Sequence, residues 1–136
     1  MKYFSLFGFI FLVFGSCTKF ENNPEDFEGL YKTNAALDFR CVALDPGKLP
    51  TLKITKTGEN TFTLQLNIYE PGKSVVKFNS VSLEYTNDSH ELVFEGKKIG
   101  DWKVNAYLEN KPKLVTINYV NQAKPESFVY FVGEKK

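Results

Sequence analysis

Thr61-Phe62-Thr63-Leu64-Gln65-Leu66-Asn67-Ile68-Tyr69-Glu70 alternates apolar and polar residues with little interruption. Phe62, Leu64, Leu66 and Ile68 face one way; Thr61, Thr63, Gln65 and Asn67 face the other. A period of two over this length predicts a half-buried strand. It also pins the register, because a one-residue slip would turn the whole apolar set into water. The same period runs through Asp101 to Glu109, with Trp102, Val104, Ala106 and Leu108 opposite Lys103, Asn105 and Tyr107. Shorter sets are Leu37, Phe39, Cys41 and Ala43; Leu52 and Ile54; Leu92 and Phe94; Val115, Ile117 and Tyr119; and Phe128, Tyr130 and Val132. Between Ser74 and Tyr85 the apolar phase flips, from Val76 and Phe78 to Val81, Leu83 and Tyr85. A β-bulge near Asn79-Ser80 would produce that flip.

Turn residues separate these runs: Pro46-Gly47, Gly58-Glu59-Asn60, Pro71-Gly72, Asn87-Asp88-Ser89, Gly96-Lys97-Lys98, Asn110-Lys111-Pro112 and Ala123-Lys124-Pro125. The spacing predicts eight or nine short strands and no amphipathic helix. Short connections make sequential neighbours antiparallel. An all-β chain of this kind closes most economically as a small antiparallel up-and-down barrel, which leaves no open edge. A two-sheet β-sandwich is the alternative.

The N-terminus has a different character. Met1-Lys2 supplies one charge, Tyr3 to Phe14 is a nearly unbroken apolar run, and Gly15-Ser16 precedes Cys17. This is the form of a secretory signal peptide. The run is shorter than the roughly 18 apolar residues that a membrane-spanning helix needs. Phe14-Gly15-Ser16-Cys17 resembles the lipobox of bacterial lipoproteins. The resemblance implies cleavage after Ser16, acylation of Cys17 by chains such as palmitate, and outer-membrane anchoring facing the periplasm or the cell surface. Several buried acyl chains hold firmly, since each methylene contributes about 0.8 kcal/mol. The chain then divides into a signal peptide over 1–16, the lipidated cysteine with a polar tether over 17–28, and one β domain over 29–136. An extended tether of this length reaches at most about 35 Å.

Charge offers no strong lead. The chain carries 17 basic and 16 acidic side chains, and loss of Lys2 with the signal peptide makes them equal. A balanced surface with a lone arginine, Arg40, does not point to nucleic acid. With Cys17 acylated, Cys41 has no disulfide partner, and its apolar neighbours predict a buried, inert thiol.

Phe27-Glu28-Gly29-Leu30-Tyr31 looks like the Gly-x-Trp opening of lipocalin-type barrels, with Tyr31 at the tryptophan position. That resemblance implies a small apolar ligand held inside. The sequence shows no nucleophile elbow, phosphate loop, calcium loop or CxxC pair. His90, the single histidine, follows a turn and reads as a solvated loop residue. Asp38, Asp45, Glu70 and Glu84 read as scattered surface carboxylates. No catalytic or metal-ligating residues and no cofactor are therefore expected.

The aromatic residues are the feature left to interpret. Phe39, Phe62, Phe78, Phe94, Trp102 and Phe128 read as core. Trp102 together with Tyr31, Tyr107, Tyr119 and Tyr130 are the candidate ligand-binding residues, the tyrosines at an open rim. The expected function is a non-enzymatic, lipid-anchored envelope protein that binds a small apolar ligand. The alternative is a protein–protein module, an accessory subunit of an envelope complex or an inhibitor of a secreted enzyme. A cavity favours the first; a filled interior with an exposed aromatic patch favours the second.

Overall fold

The structure, a computed structural model, describes residues 23–87 and 89–136. The segment read as a signal peptide, and Cys17, lie outside the described residues. Eight strands follow in order: β1 Gly29–Lys32, β2 Thr51–Gly58, β3 Thr61–Ile68, β4 Ser74–Thr86, β5 Ser89–Phe94, β6 Lys97–Val104, β7 Lys113–Val120 and β8 Phe128–Lys135. Each pairs antiparallel with the next, and β8 returns to β1, so the sheet is a closed up-and-down barrel. The closing seam is short: among the described residues Tyr31 registers with Lys135 and Lys32 with Glu134, and the Lys136 amide donates to the Leu30 carbonyl at 3.0 Å.

The alternation of β3 is realised as read, with Phe62, Leu64 and Leu66 buried between partly covered Thr61, Thr63, Gln65 and Asn67. The expected bulge in β4 is present. Phe62 pairs with Val81 but Leu64 with Phe78, so the extra residue falls at Asn79-Ser80, and Ser80 takes φ 59°. The β5–β6 hairpin turns at Glu95 and Gly96, both at positive φ, as a tight hairpin requires. A second bulge, between Leu92 and Val93 on one side and Gly100 and Lys98 on the other, brings both Ile99 and Trp102 into the core. Gly100 packs so closely on β7 that a Cβ would lie 1.9 Å from the Thr116 carbonyl oxygen.

Four readings are corrected. Pro24–Phe27, read as tether, is a 3-10 turn whose Phe27 is fully buried in the core, so the fold begins before Gly29. In β8 the inward residues are Val129, Phe131 and Gly133, not Phe128, Tyr130 and Val132. The run Phe128-Val129-Tyr130-Phe131-Val132 is apolar on both faces, so alternation carried no phase information. β6 stops at Val104, and Ala106 and Leu108 lie in an exposed loop. Finally, Leu37 to Ala43 is not a strand. It is a turn followed by the 3-10 turn Phe39–Cys41, in which Phe39 is 81% exposed while Cys41 is buried.

Odd-numbered strands start, and even-numbered strands finish, at the end of the barrel where Pro24–Phe27 lies. This proximal end carries Asn87 after β4 and the loops 59–60 and 105–112. The distal end carries the long connection 33–50 and the loops 69–73, 95–96 and 121–127.

Candidate functional site

At the proximal end the 3-10 turn lies against the barrel. Asn23 caps it, its side chain accepting from the Glu25 amide at 3.1 Å. Phe27 meets Phe62 edge-on at 4.9 Å and Trp102 at 5.4 Å between ring centroids. The Tyr31 hydroxyl donates to the Phe27 carbonyl at 2.9 Å. Burial pushes the Tyr31 pKa up, so this hydroxyl stays a donor. Outside, Lys113 pairs with the Asp26 carboxylate, and Lys135 donates to the Asp26 carbonyl at 2.6 Å. The Lys113 hydrogen bond holds the Asp26 carboxyl below its ordinary range. The turn is therefore tied to both β7 and β8, beside the short closing seam.

His90 belongs to this cluster, which corrects its reading as a solvated loop residue. It is the second residue of β5 and points inward, 6% exposed, with its ring 5.4 Å from Trp102 and 5.2 Å from Tyr85. Desolvation lowers its pKa. Trp102 sits near the proximal end of the interior, late in β6. Among the described residues, neither Trp102 Nε1 nor His90 Nδ1 has a hydrogen-bond partner.

The distal interior is more loosely covered. Phe78 meets Phe94 at 5.4 Å and Tyr119 at 5.2 Å, both edge-on. Phe94 and Tyr119 are only partly buried. Outside this end, the register places Val120 opposite Phe128 on the outer face. Phe128 is 51% exposed and stacks along Tyr130, with centroids 6.3 Å apart and planes 22° from parallel. Arg40 reaches over from the 33–50 connection. Its guanidinium stands 4.1 Å from the centre of the Tyr130 ring and donates to the Tyr130 carbonyl at 3.3 Å.

The Arg40 group is itself held by Asp38, which accepts from Nε at 2.9 Å, Nη2 at 2.7 Å and the Arg40 amide at 3.0 Å. Asp38, read as a surface carboxylate, is thus buried against a bidentate partner, and the Arg40 guanidinium holds it well below the usual carboxylate range. This clamp fixes the turn that presents Phe39 and Val42, 81% and 72% exposed. Cys41, on the inner side of the turn, is buried and free, and burial pushes its thiol pKa up.

The five candidate ligand-binding residues do not converge. Tyr31 and Trp102 are sealed in the proximal core, Tyr107 is fully exposed on the proximal 105–112 loop, Tyr119 lies in the distal interior, and Tyr130 is on the outer face under Arg40. The distal patch of Phe39, Val42, Val120, Phe128 and the Arg40–Tyr130 stack was not legible as a unit. Arg40 and Tyr130, which join its two segments, are ninety residues apart and meet only through barrel closure. Among the described residues no three His, Cys, Asp or Glu side chains form a group that could hold a metal ion. The described surface concavity, lined by Glu28, Leu30, Lys53 and Thr55, is an open groove outside β1 and β2.

The geometry defines the class: a small, closed, eight-stranded antiparallel up-and-down barrel with a buried aromatic cluster. Compared with known proteins, the chain matches no family model, no curated protein and no solved structure.

Proposed function

We propose that this protein is a lipid-anchored envelope lipoprotein, held in the outer membrane through Cys17, whose barrel is a non-enzymatic protein–protein interaction module. The observation that carries the reading is the contrast between a filled interior and an exposed aromatic patch. Inward positions toward the proximal end, among them Tyr31, Phe62 and Trp102, are occupied by bulky side chains at near-zero exposure. An eight-stranded barrel has room for its own side chains or for one small ligand, and here the side chains take that room at the proximal end. The distal patch offers Phe39, Phe128 and a Tyr130–Arg40 stack. Aromatic rings and arginine are the groups that dominate protein interfaces. The Asp38 clamp holds Arg40 and its turn in place beforehand, which lowers the ordering cost of binding.

The reading as a carrier of a small apolar ligand, which the lipocalin-like opening implies, keeps one supporting observation. Phe94 and Tyr119 leave the distal interior incompletely covered. A photo-cross-linker at Phe39, in cells of the native host, separates the two. A discrete protein adduct that disappears in Phe128→Asp supports the interaction module. Absence of any adduct, with a stoichiometric apolar molecule in solvent extracts of the purified protein, overturns it in favour of the carrier.

A further inference from the structure

We propose that the proximal end of the barrel rests on the lipid bilayer, with Tyr107 and Leu108 at the tip of the 105–112 loop seated in the membrane–water interface. The proposal rests on the reading of Cys17 as the lipid anchor. Pro24–Phe27 is locked into the barrel by Phe27 and by the Asp26–Lys113 pair. Only five residues lie between Cys17 and Asn23, where the described structure begins, so the six Cα–Cα steps span at most about 20 Å. Strands of eight residues are about 26 Å long. An anchor this short, entering beside β7 and β8, keeps the proximal end against the membrane and the distal patch away from it.

The surface at that end suits the contact. Tyr107 is 100% exposed and Leu108 49% exposed, so neither supports the core. Their loop is nonetheless shaped in advance: Asn105 Oδ1 accepts from the Tyr107 amide at 3.2 Å, and the Leu108 carbonyl accepts from the Lys111 amide at 2.9 Å. The loop leads directly into Lys113, the partner of Asp26, so it shares the proximal end with the point where the described chain begins. Tyr85, 67% exposed, occupies the rim at the same end. Tyrosine rings settle at headgroup level, apolar body inward and hydroxyl in water. Nearby charges are mixed: Lys56, Lys103 and Lys111 stand with Glu59, Glu84 and Glu109. The contact is therefore carried by apolar and aromatic groups and not by attraction to anionic lipid.

The test uses the full-length protein, processed in its host and reconstituted in phosphatidylethanolamine–phosphatidylglycerol vesicles. A nitroxide is placed at Tyr107→Cys or, at the distal end, at Phe39→Cys, each in a Cys41→Ala background that retains the native near-ultraviolet spectrum. Collision with oxygen, relative to an aqueous nickel complex, should be several-fold greater at 107 than at 39, and unchanged at high salt. Equal, water-like accessibility at both positions overturns the proposal, as does lipid exposure at 39 alone. Mass spectrometry of Cys17 scores the anchor separately. If Cys17 carries no acyl chain, the anchor reading fails, and the label at 107 with added vesicles still decides whether the loop tip enters the interface.

Discussion

At the proximal end, Phe27, Tyr31, Phe62, His90 and Trp102 turn inward and are sealed by a 3-10 turn. At the distal end the interior rings of Phe94 and Tyr119 are only partly covered, and Phe39 and Phe128 stand outside. Similar residue types thus serve different ends. Buried rings gain from removal of apolar area and from edge-to-face packing. Exposed rings contribute little to folding and are free to contribute to binding. The difference predicts that stability is concentrated proximally and recognition distally.

The largest effect should come from Trp102→Ala, which removes a fully buried ring from contact with Phe27 and His90. Urea denaturation should show a loss of about 3–5 kcal/mol, against less than half of that for Tyr119→Ala at the distal end. Equal losses would break the comparison. Phe27→Ala should cost about 3 kcal/mol. It should also release the amides of β1 to hydrogen exchange before those of β3, because the closing seam has only two registered pairs and the turn reinforces it.

The proximal end should also be the more sensitive to mild acid. The folded pKa of His90 is lowered by burial, so the unfolded chain binds the proton more readily. Stability from this source is complete above the ordinary histidine pKa, about 6.5. It falls as pH drops through that value toward the lower folded pKa. Asp26 and Asp38 have lowered pKa values, so their contribution is lost only as pH falls below the ordinary carboxylate range. His90→Phe should remove the first slope and leave the second, measured as unfolding midpoint against pH. The smallest stability effect belongs to Phe39→Ser, within about 0.5 kcal/mol of wild type as surface changes usually are. With the cross-linker moved to Val42, exposed on the same turn, this variant should lose the partner adduct; a large loss of stability would show that the distal ring is part of the core.

Several elements were legible because the chain wrote them as local contrasts. Strand β3 alternates one apolar with one polar residue, and the phase flip at Asn79-Ser80 marks a bulge that the register confirms. Other elements lacked contrast. β8 is apolar on both faces because its outer face carries Phe128 and Tyr130 while Val129 and Phe131 turn inward. Phe39 and Cys41 match a strand in spacing, yet Asp38 caps the segment into a 3-10 turn by accepting from the Arg40 amide. His90 follows a turn in sequence, but it is the second residue of β5 and its side chain is already inside.

Alternation and turn chemistry, both local properties of the chain, determined that this protein is all-β, antiparallel and made of short sequential strands. Closure decided the rest. Whether eight strands form a barrel or a sandwich depends on β1 meeting β8, a pairing between residues about a hundred positions apart. Closure also decides which rings share a volume: Phe27 with Trp102, and Arg40 with Tyr130, are neighbours only once the sheet has come round. A residue pattern records which side chains avoid water. It does not record which of them meet, because meeting is set by the loop-closure geometry of the whole chain.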